Sequence, residues 1–511
     1  MLEGKRCAGN VVAALVCVAG MAVRAETRGL PDAAPLEQVL AVLQGGDQSA
    51  YERFIGEHWS PAALGKSSVE DEASSMARIY TDTRGFLLGP IVAASPGWVQ
   101  ARARARLTGI SYCLTLTRDT AGITGFTARD IHPAGPGLRH PEREEVVRTT
   151  EALAAAYDTV GEMSGVILLA KDDGVIFRRA YGKASLAYEA PMTLSTRLNT
   201  ASIGKSFTAV AVAQLIDAGT LSLDDVVGKV LPNYPDRVVR DRVTIRQLLT
   251  HTSGLGDLYD HPKWPVVRTR IRSVPGYMEL VVGRPLLDEP GARYEYSNAG
   301  YILLGAIVEK LSGQDFYQYV HDHVFVPAGM THSSYPAADD EVPGFATPLT
   351  NFMDRGETAY IYRLGRPRSA LLQLAARGGP QGGAAVTGDD LMAYDIAFRA
   401  GKLTSPAMVK LMTSAQGPAV GGRRGAQPDT VPGFGFEVTS RNGHTMVGHQ
   451  GGDLGIASFV YHFPETGYTA VVLSNRDPRA ARVLLQALLA LFTRSTLRGA
   501  TPPPQDCVAP P

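Results

Sequence analysis

Ser202 and Lys205 stand three residues apart in the segment Thr200-Ala201-Ser202-Ile203-Gly204-Lys205-Ser206-Phe207-Thr208. A serine hydroxyl is a weak nucleophile until a base takes its proton. An amine one helical turn away can act as that base when a dry, cationic or hydrogen-bonded setting suppresses its charge. The segment opens an apolar run from Phe207 to Ile216 that ends at Asp217-Ala218-Gly219. The run predicts a helix with Ser202 near its N-terminus and Lys205 on the same face of the first turn, where the helix dipole favours developing negative charge. The spacing alone is weak, because helices carry Ser and Lys on one face by chance. Two other readings fail on inspection. Gly204-Lys205-Ser206 resembles the end of a phosphate loop, but Asn199 stands where the earlier glycine is required, and no Gly-x-Ser-x-Gly elbow occurs in the chain.

Two downstream motifs supply partners. Tyr294-Glu295-Tyr296-Ser297-Asn298-Ala299-Gly300 lies between Pro290-Gly291 and the helix-forming run that starts at Tyr301. A loop held at a helix start can aim polar side chains into a cleft. There Tyr296 can accept or relay the serine proton, and Asn298 can position Lys205 or a substrate amide. His449-Gln450-Gly451-Gly452 reads as a strand followed by a turn. Glycines on a strand edge let a substrate backbone approach closely, and the amides of Ser202 and Gly452 can form an oxyanion hole. His449 can donate to substrate or tune the Tyr296–Lys205 pair. Each motif by itself also has a plain structural explanation, namely a buried aromatic with a turn-forming Asn, and a hairpin turn with an incidental His.

Taken in order, Ser-x-x-Lys, Tyr-x-Asn and His-x-Gly resemble the serine β-lactamase and penicillin-binding-protein superfamily. The resemblance is to the branch with class C β-lactamases, DD-carboxypeptidases and related esterases (serine peptidase S12 type). It spans roughly residues 145 to 495 and extends to Leu221-Ser222-Leu223-Asp224-Asp225, to the stretch from Val243 to Leu255 containing His251-Thr252-Ser253-Gly254, and to Gly382-Gly383 with Thr387-Gly388-Asp389-Asp390. It implies a serine hydrolase working through an acyl-enzyme, with Ser202, Lys205 and Tyr296 catalytic. Asn298, His449 and Gly451 would orient the substrate, and the Ser202 and Gly452 amides would form the oxyanion hole. Which of Lys205 and Tyr296 takes the proton stays open. His251 and Ser253 read as loop scaffolding, and Thr387 with Asp390 as a helix cap. Class C enzymes carry Lys-Thr-Gly where this chain has His449-Gln450-Gly451. A mostly neutral His holds a β-lactam carboxylate less strongly than an ammonium, which favours an esterase or a D-Ala-D-Ala carboxypeptidase-like enzyme over a β-lactamase. A non-catalytic peptidoglycan receptor is the alternative of another class, and the complete Ser202, Lys205 and Tyr296 set argues against it.

The elements that must position these residues need two domains, since 511 residues exceed one ordinary core. Residues 1–25 read as a secretory signal, with Lys5 and Arg6 before the apolar stretch Val11 to Val23 and a small residue at Ala25. The expectation is an exported protein, periplasmic or secreted, without a stable membrane anchor. Residues 26–142 form a small α+β domain with helices around Leu36–Leu43 and Tyr51–Ile55, followed by alternating strands. Its element order resembles domains of the nuclear-transport-factor-2-like type. The row Gln100, Arg102, Arg104, Arg106 predicts a solvated sheet face. The Pro- and Gly-rich stretch from Pro133 to Pro141 marks a boundary. Residues 143–495 carry all three motifs. Strands at both ends of this domain, 165–182 and 445–474, with helices between them, imply one antiparallel sheet built from both termini, an α+β, β-lactamase/transpeptidase-like fold. Residues 496–511 read as a Pro-rich tail. Removing the signal leaves Cys113 and Cys507, whose pairing stays open. Lys+Arg and Asp+Glu both count 50, so charge gives no argument for nucleic acid. The histidines show no metal-ligand spacing, no cofactor is implied, and the expected partner is a small-molecule or peptide acyl substrate.

Overall fold

The structure, a computed structural model, describes residues 33–131, 141–354, 360–420, 429–441, 444–492 and Cys507. Residues 1–25, on which the signal expectation falls, most of the 133–141 boundary and all of the tail except Cys507 lie outside these residues. The chain divides into two compact units, one of Met1–Pro133, Ile361–Leu364 and Pro502–Pro511, the other of Ala134–Tyr360 and Gly365–Thr501.

The first unit contains helices α1 (Ala34–Gln44), α2 (Gln48–His58) and α3 (Val69–Thr83) and an antiparallel sheet in the order β1 (Phe86–Ser95), β2 (Trp98–Ala105), β3 (Ser111–Asp119), β4 (Gly122–Ile131). Along β2, Ala101, Ala103 and Ala105 are buried while Arg102 and Arg104 are exposed, so the arginine row is a solvated face. Gln100 departs from it. It is buried opposite Thr115 and donates from Nε2 to that hydroxyl at 3.1 Å. The sequence reading did not anticipate α3 or β1. The α3 helix has few large apolar residues and starts on a capping box between Ser68 and Asp71. The β1 strand contains Gly89-Pro90 and pairs irregularly, as an edge strand tolerates. Ile361–Leu364 belongs to this unit through bonds no local pattern reveals. The Tyr362 backbone N–H donates to Ser74 Oγ at 2.9 Å, and Arg363 pairs with Glu52 and Glu70. Cys113 and Cys507 form a disulfide.

The second unit opens with α4 (Arg143–Thr159) and the hairpin β5 (Gly165–Lys171) and β6 (Gly174–Tyr181). Its later strands are β7 (Thr430–Pro432), β8 (Glu437–Arg441), β9 (His444–Asp453), β10 (Ile456–Phe463) and β11 (Tyr468–Ser474). They form one antiparallel sheet in the order β7-β8-β9-β10-β11-β5-β6, and β11 joins β5 with Val471 opposite Leu168. Both ends of the domain therefore meet in one sheet. Val166 and Leu168 on β5 enter the main core, while the intervening Ile167 and Leu169 are equally buried. A strand covered on both faces reads as a continuous apolar run. The C-terminal helix (Ala480–Phe492) packs with α4 and β10.

The motif helix α5 (Gly204–Asp217) sits inside this core, with every residue from Gly204 to Ala213 buried. Burying a large aliphatic or aromatic side chain contributes about 1.5–3 kcal/mol, so residues such as Phe207, Val210 and Val212 make α5 a rigid platform. Two of its buried hydroxyls are satisfied: Ser206 Oγ donates to the Ile203 carbonyl at 2.8 Å and Thr208 Oγ1 to the Pro380 carbonyl at 2.7 Å. The helix ends where Gly219 takes φ +72°, as its sequence predicts.

Two local expectations change. The strand reading at 445–452 ended in a turn, but β9 runs unbroken through Gly451 and Gly452 to Asp453, and the turn falls at Leu454-Gly455. Thr387 does cap the helix Gly388–Arg399 by accepting the Asp390 N–H at 3.1 Å. Asp390 does not reciprocate, because its carboxylate accepts instead from the His332 N–H and the Ser333 hydroxyl, each at 2.7 Å.

Candidate active site

Ser202 lies in a 3-10 turn, Ala201–Ile203, that feeds directly into α5. The turn is sharp: Ala201 has φ +43°, a conformation L-residues rarely adopt. Neighbouring groups hold it there. The Asn199 side chain accepts the Ala201 N–H at 2.8 Å, the Gly383 N–H donates to the Ala201 carbonyl at 3.0 Å, and the Thr200 N–H donates to the Ala384 carbonyl at 2.8 Å. Gly382 lies so close that a Cβ there would stand 2.2 Å from the Ala201 oxygen. Asn199, which breaks the phosphate-loop pattern, thus has a structural use.

One helical step on, Lys205 is fully buried. Its ammonium donates to Asn298 Oδ1 at 2.6 Å, to the Gln381 carbonyl at 2.7 Å and to Ser202 Oγ at 3.2 Å. It also lies 4.7 Å from the Tyr296 ring centre and 5.6 Å from that of Tyr301. The Tyr296 hydroxyl donates to Ser202 Oγ at 2.9 Å. Lysine and tyrosine therefore converge on one serine oxygen, within the reach that proton transfer requires. Asn298 is the first residue of α6 (Asn298–Ser312), three residues earlier than the apolar run suggested, because Ser297 caps the helix by accepting the Gly300 N–H at 3.0 Å.

Three further residues build this side, and of these the sequence singled out only His251. Gln381 contributes only its backbone oxygen, which no side-chain pattern reveals. Asp257 accepts from Asn298 Nδ2 at 2.7 Å. Loss of hydration raises its pKa, opposed by the hydrogen bonds from the Tyr259 N–H and the Asn298 amide and by the Lys205 charge. His251 holds the Tyr-x-Asn loop. Its carbonyl accepts the Glu295 N–H at 2.8 Å, its Nδ1 accepts the Ser297 N–H at 3.0 Å, and its ring lies 4.4 Å from the Tyr296 ring. That placement agrees with a scaffolding role. The signal in the sequence was the turn-forming Thr252-Ser253-Gly254 after it.

The strand β9 forms the other side. Its ladder with β8 ends at Gly448 opposite Glu437, and from His449 to Asp453 its ladder is with β10. A Cβ on Gly451 would stand 2.2 Å from the Thr200 oxygen and 2.9 Å from the Ser202 nitrogen, so only glycine lets the strand lie this close to Ser202. Ser458 on β10 fastens the same contact by donating to the Thr200 carbonyl at 2.7 Å. Gly452, the next residue, is exposed and has no crowding of this kind. His449 is buried and lines a small pocket with His251, Tyr294, Tyr296 and Glu437. Of its two sequence-derived roles, this placement suits tuning of the tyrosine better than direct contact with substrate. Among the described residues no cluster of His, Cys, Asp and Glu could hold a metal ion, and no helix is long and apolar enough to cross a membrane.

Comparison with known proteins places this site in context. A family model described as Beta-lactamase matches residues 150–493. Penicillin-binding protein 4* of Bacillus subtilis (strain 168) is 31% identical over 186 residues, 35% of this chain and 40% of its own length. A putative D-alanyl-D-alanine carboxypeptidase of Escherichia coli (strain K12) is 31% identical over 190 residues, 34% of this chain and 44% of its own. The chain thus matches under half the length of these relatives. Among solved structures, a penicillin-binding protein from Bacillus halodurans superposes with a TM-score of 0.57 at 29% identity, over 67% of this chain and 99% of that one. EstCE1, a hydrolase with promiscuous acyltransferase activity, gives 0.56 at 24% identity over 68% of this chain and 99% of its own, a likeness of fold alone.

Proposed function

The chain belongs to the β-lactamase family, and from that premise we propose that it is an exported serine hydrolase cleaving an ester or amide through an acyl-enzyme. The observation that carries this reading is the pair of hydrogen bonds that Ser202 Oγ receives, from Lys205 Nζ at 3.2 Å and from Tyr296 OH at 2.9 Å. In the reaction Ser202 Oγ attacks the carbonyl carbon while its proton passes to the Lys205–Tyr296 pair. The negative oxygen that develops is met by the amides of Ser202 and Gly452. The same pair returns the proton to the leaving alcohol or amine. Water then attacks the acyl-enzyme and restores the serine hydroxyl. His449 and Asn298 orient the base, with Asn298 bonded directly to Lys205.

Export is supported by the basic, apolar and small-residue order of residues 1–25. The substrate is expected among esters and D-Ala-D-Ala-type peptides, in keeping with the carboxypeptidase-like relative and with His449 where class C β-lactamases carry lysine. Labelling by a fluorophosphonate probe, absent in Ser202→Ala, tests the enzyme against the receptor reading. Parallel turnover of a p-nitrophenyl ester, a D-Ala-D-Ala peptide and a cephalosporin tests the substrate class. A parent protein that is never labelled overturns the hydrolase reading.

A further inference from the structure

Asn298 joins two groups that are opposite in hydrogen-bond character. Its Oδ1 accepts from Lys205 Nζ at 2.6 Å and its Nδ2 donates to Asp257 Oδ2 at 2.7 Å. An ammonium only donates and an ionised carboxylate only accepts, so the amide has one direction that satisfies both. Turned over, its NH2 would face the ammonium and its oxygen the carboxylate. Asp257 is itself pinned. Its Oδ1 accepts the Tyr259 N–H at 3.2 Å, and the Arg284 guanidinium bonds its backbone carbonyl. The preceding Gly256 carbonyl accepts from Ser297 Oγ at 3.1 Å.

We propose that Asp257 is a positioning residue of the active site, fixing the direction of the Asn298 amide and, through it, the charge carried by Lys205. This rests on the hydrolase reading above. The Lys205 nitrogen meets three acceptors, and two of them, Asn298 Oδ1 and the Gln381 carbonyl, can be served by N–H groups whether the lysine is charged or neutral. The third position faces Ser202 Oγ, where the ammonium presents a proton and the free amine a lone pair. The choice between donor and base is therefore made at this third position, and a carboxylate one amide away pulls it toward the ammonium. The charged and titratable groups around the pair are few. Asp257 is faced by Lys205 on α5, Tyr259 and Asp260 in its own turn and Asp453 at the end of β9, with Arg284 on its carbonyl side. Lys205 is faced by the rings of Tyr296 and Tyr301. Asp257 is thus the carboxylate that reaches Lys205 through a direct hydrogen-bonded bridge.

The test is the pH profile of kcat/KM for a p-nitrophenyl ester in the full-length parent, Asp257→Asn, Asp257→Ser and Asn298→Ala, with fluorophosphonate labelling of Ser202 read alongside. Without the carboxylate the lysine holds its proton less tightly. The limb of the profile set by Lys205 is expected to move to lower pH by about half a unit or more in both uncharged variants. In the Asn298→Ala background the further change Asp257→Asn is expected to move it less. A profile that stays in place in either folded variant overturns the proposal, whether or not the rate falls, because a merely structural role lowers the rate without moving the limb. Retained labelling with an unmoved profile sinks this inference alone, whereas a parent that is never labelled sinks the hydrolase reading beneath it.

Discussion

The two regions that meet at Ser202 are held by different means. On the Lys205 side, position comes from hydrogen bonds between buried and half-buried side chains: Lys205, Asn298 and Asp257 form an unbroken chain, with Gln381 contributing a carbonyl. On the β9 side, position comes from the absence of atoms, since Gly451 lets a strand lie against the Thr200 carbonyl and the Ser202 amide. The first arrangement fixes charges and protons, and polar groups so enclosed are costly to leave unpaired. The second leaves Gly452 exposed and uncrowded, with room for the substrate backbone that the proposed reaction requires. Machinery and docking edge are separable in principle, and substitutions on each side should fail differently.

The largest effect is expected on the bonded side. Lys205→Ala should lower the acylation rate by at least about a hundredfold, the usual cost of losing a general base. It also leaves the Asn298 and Gln381 oxygens short of a donor, at about 1–3 kcal/mol each. Stopped-flow acylation with a thermal melt measures both. A folded Lys205→Ala protein with near-normal acylation would remove the lysine from the mechanism and dissolve the contrast.

The packed side should respond to volume and not to charge. Gly451→Ala is expected to lower kcat/KM by about tenfold or more, since a contact of 2.2 Å to a backbone oxygen can be relieved only by moving the strand or the turn. Gly452→Ala, whose new Cβ would have its nearest neighbour, the Ile456 oxygen, at 3.9 Å, should stay within about threefold on the same steric ground. Equal losses at the two positions would show that the close approach of Gly451 is not what places the strand.

His449 stands where the two regions adjoin, in β9 yet beside Tyr296. His449→Lys restores a permanent charge. If that charge reaches substrate, the ratio of cephalosporin to p-nitrophenyl-ester turnover should rise, by a few-fold on the scale of one exposed ion pair. A flat ratio with a lower rate on both substrates would assign the residue wholly to the tyrosine.

How much of this was legible beforehand divides along the same line. Ser202, Lys205, Tyr296 and Asn298 were readable because chemistry demands those side chains at a helix start, and the structure brings all four within bonding distance. The two-ended sheet was readable because β5, β10 and β11 are continuous apolar runs. Gln381 acts through its backbone, and Asp257 acts at one remove through Asn298, so neither had a signature to find. The same holds for Tyr362 and Arg363, whose partners Ser74, Glu52 and Glu70 lie far away in sequence. The extent of β9 was misjudged because Gly451-Gly452 has turn composition. Only the approach of the Thr200 carbonyl, a tertiary fact, explains Gly451 inside a strand.

The smallest effect expected is on stability, and it tests whether the bonded side is costly as well as fixed. Loss of hydration raises the pKa of Asp257, opposed first by the Tyr259 N–H and then by the Asn298 amide and the Lys205 charge. A carboxyl whose folded pKa lies above its unfolded value binds its proton more tightly when folded. Its favourable contribution is then fully present below the unfolded value, near 3.9, and is lost as pH rises through the folded value. Asp257→Asn keeps an oxygen to accept from Asn298 and carries no charge at any pH. The melting temperature of Asp257→Asn minus that of the parent should therefore become more positive between about pH 4 and pH 7, by a few degrees at most for a change of about 1 kcal/mol in a domain of this size. A difference that stays level across that range, or falls, would mean that the hydrogen bonds and the Lys205 charge fully offset the lost hydration. The Lys205–Asn298–Asp257 chain would then be a stabilising feature of the fold and not a strained one.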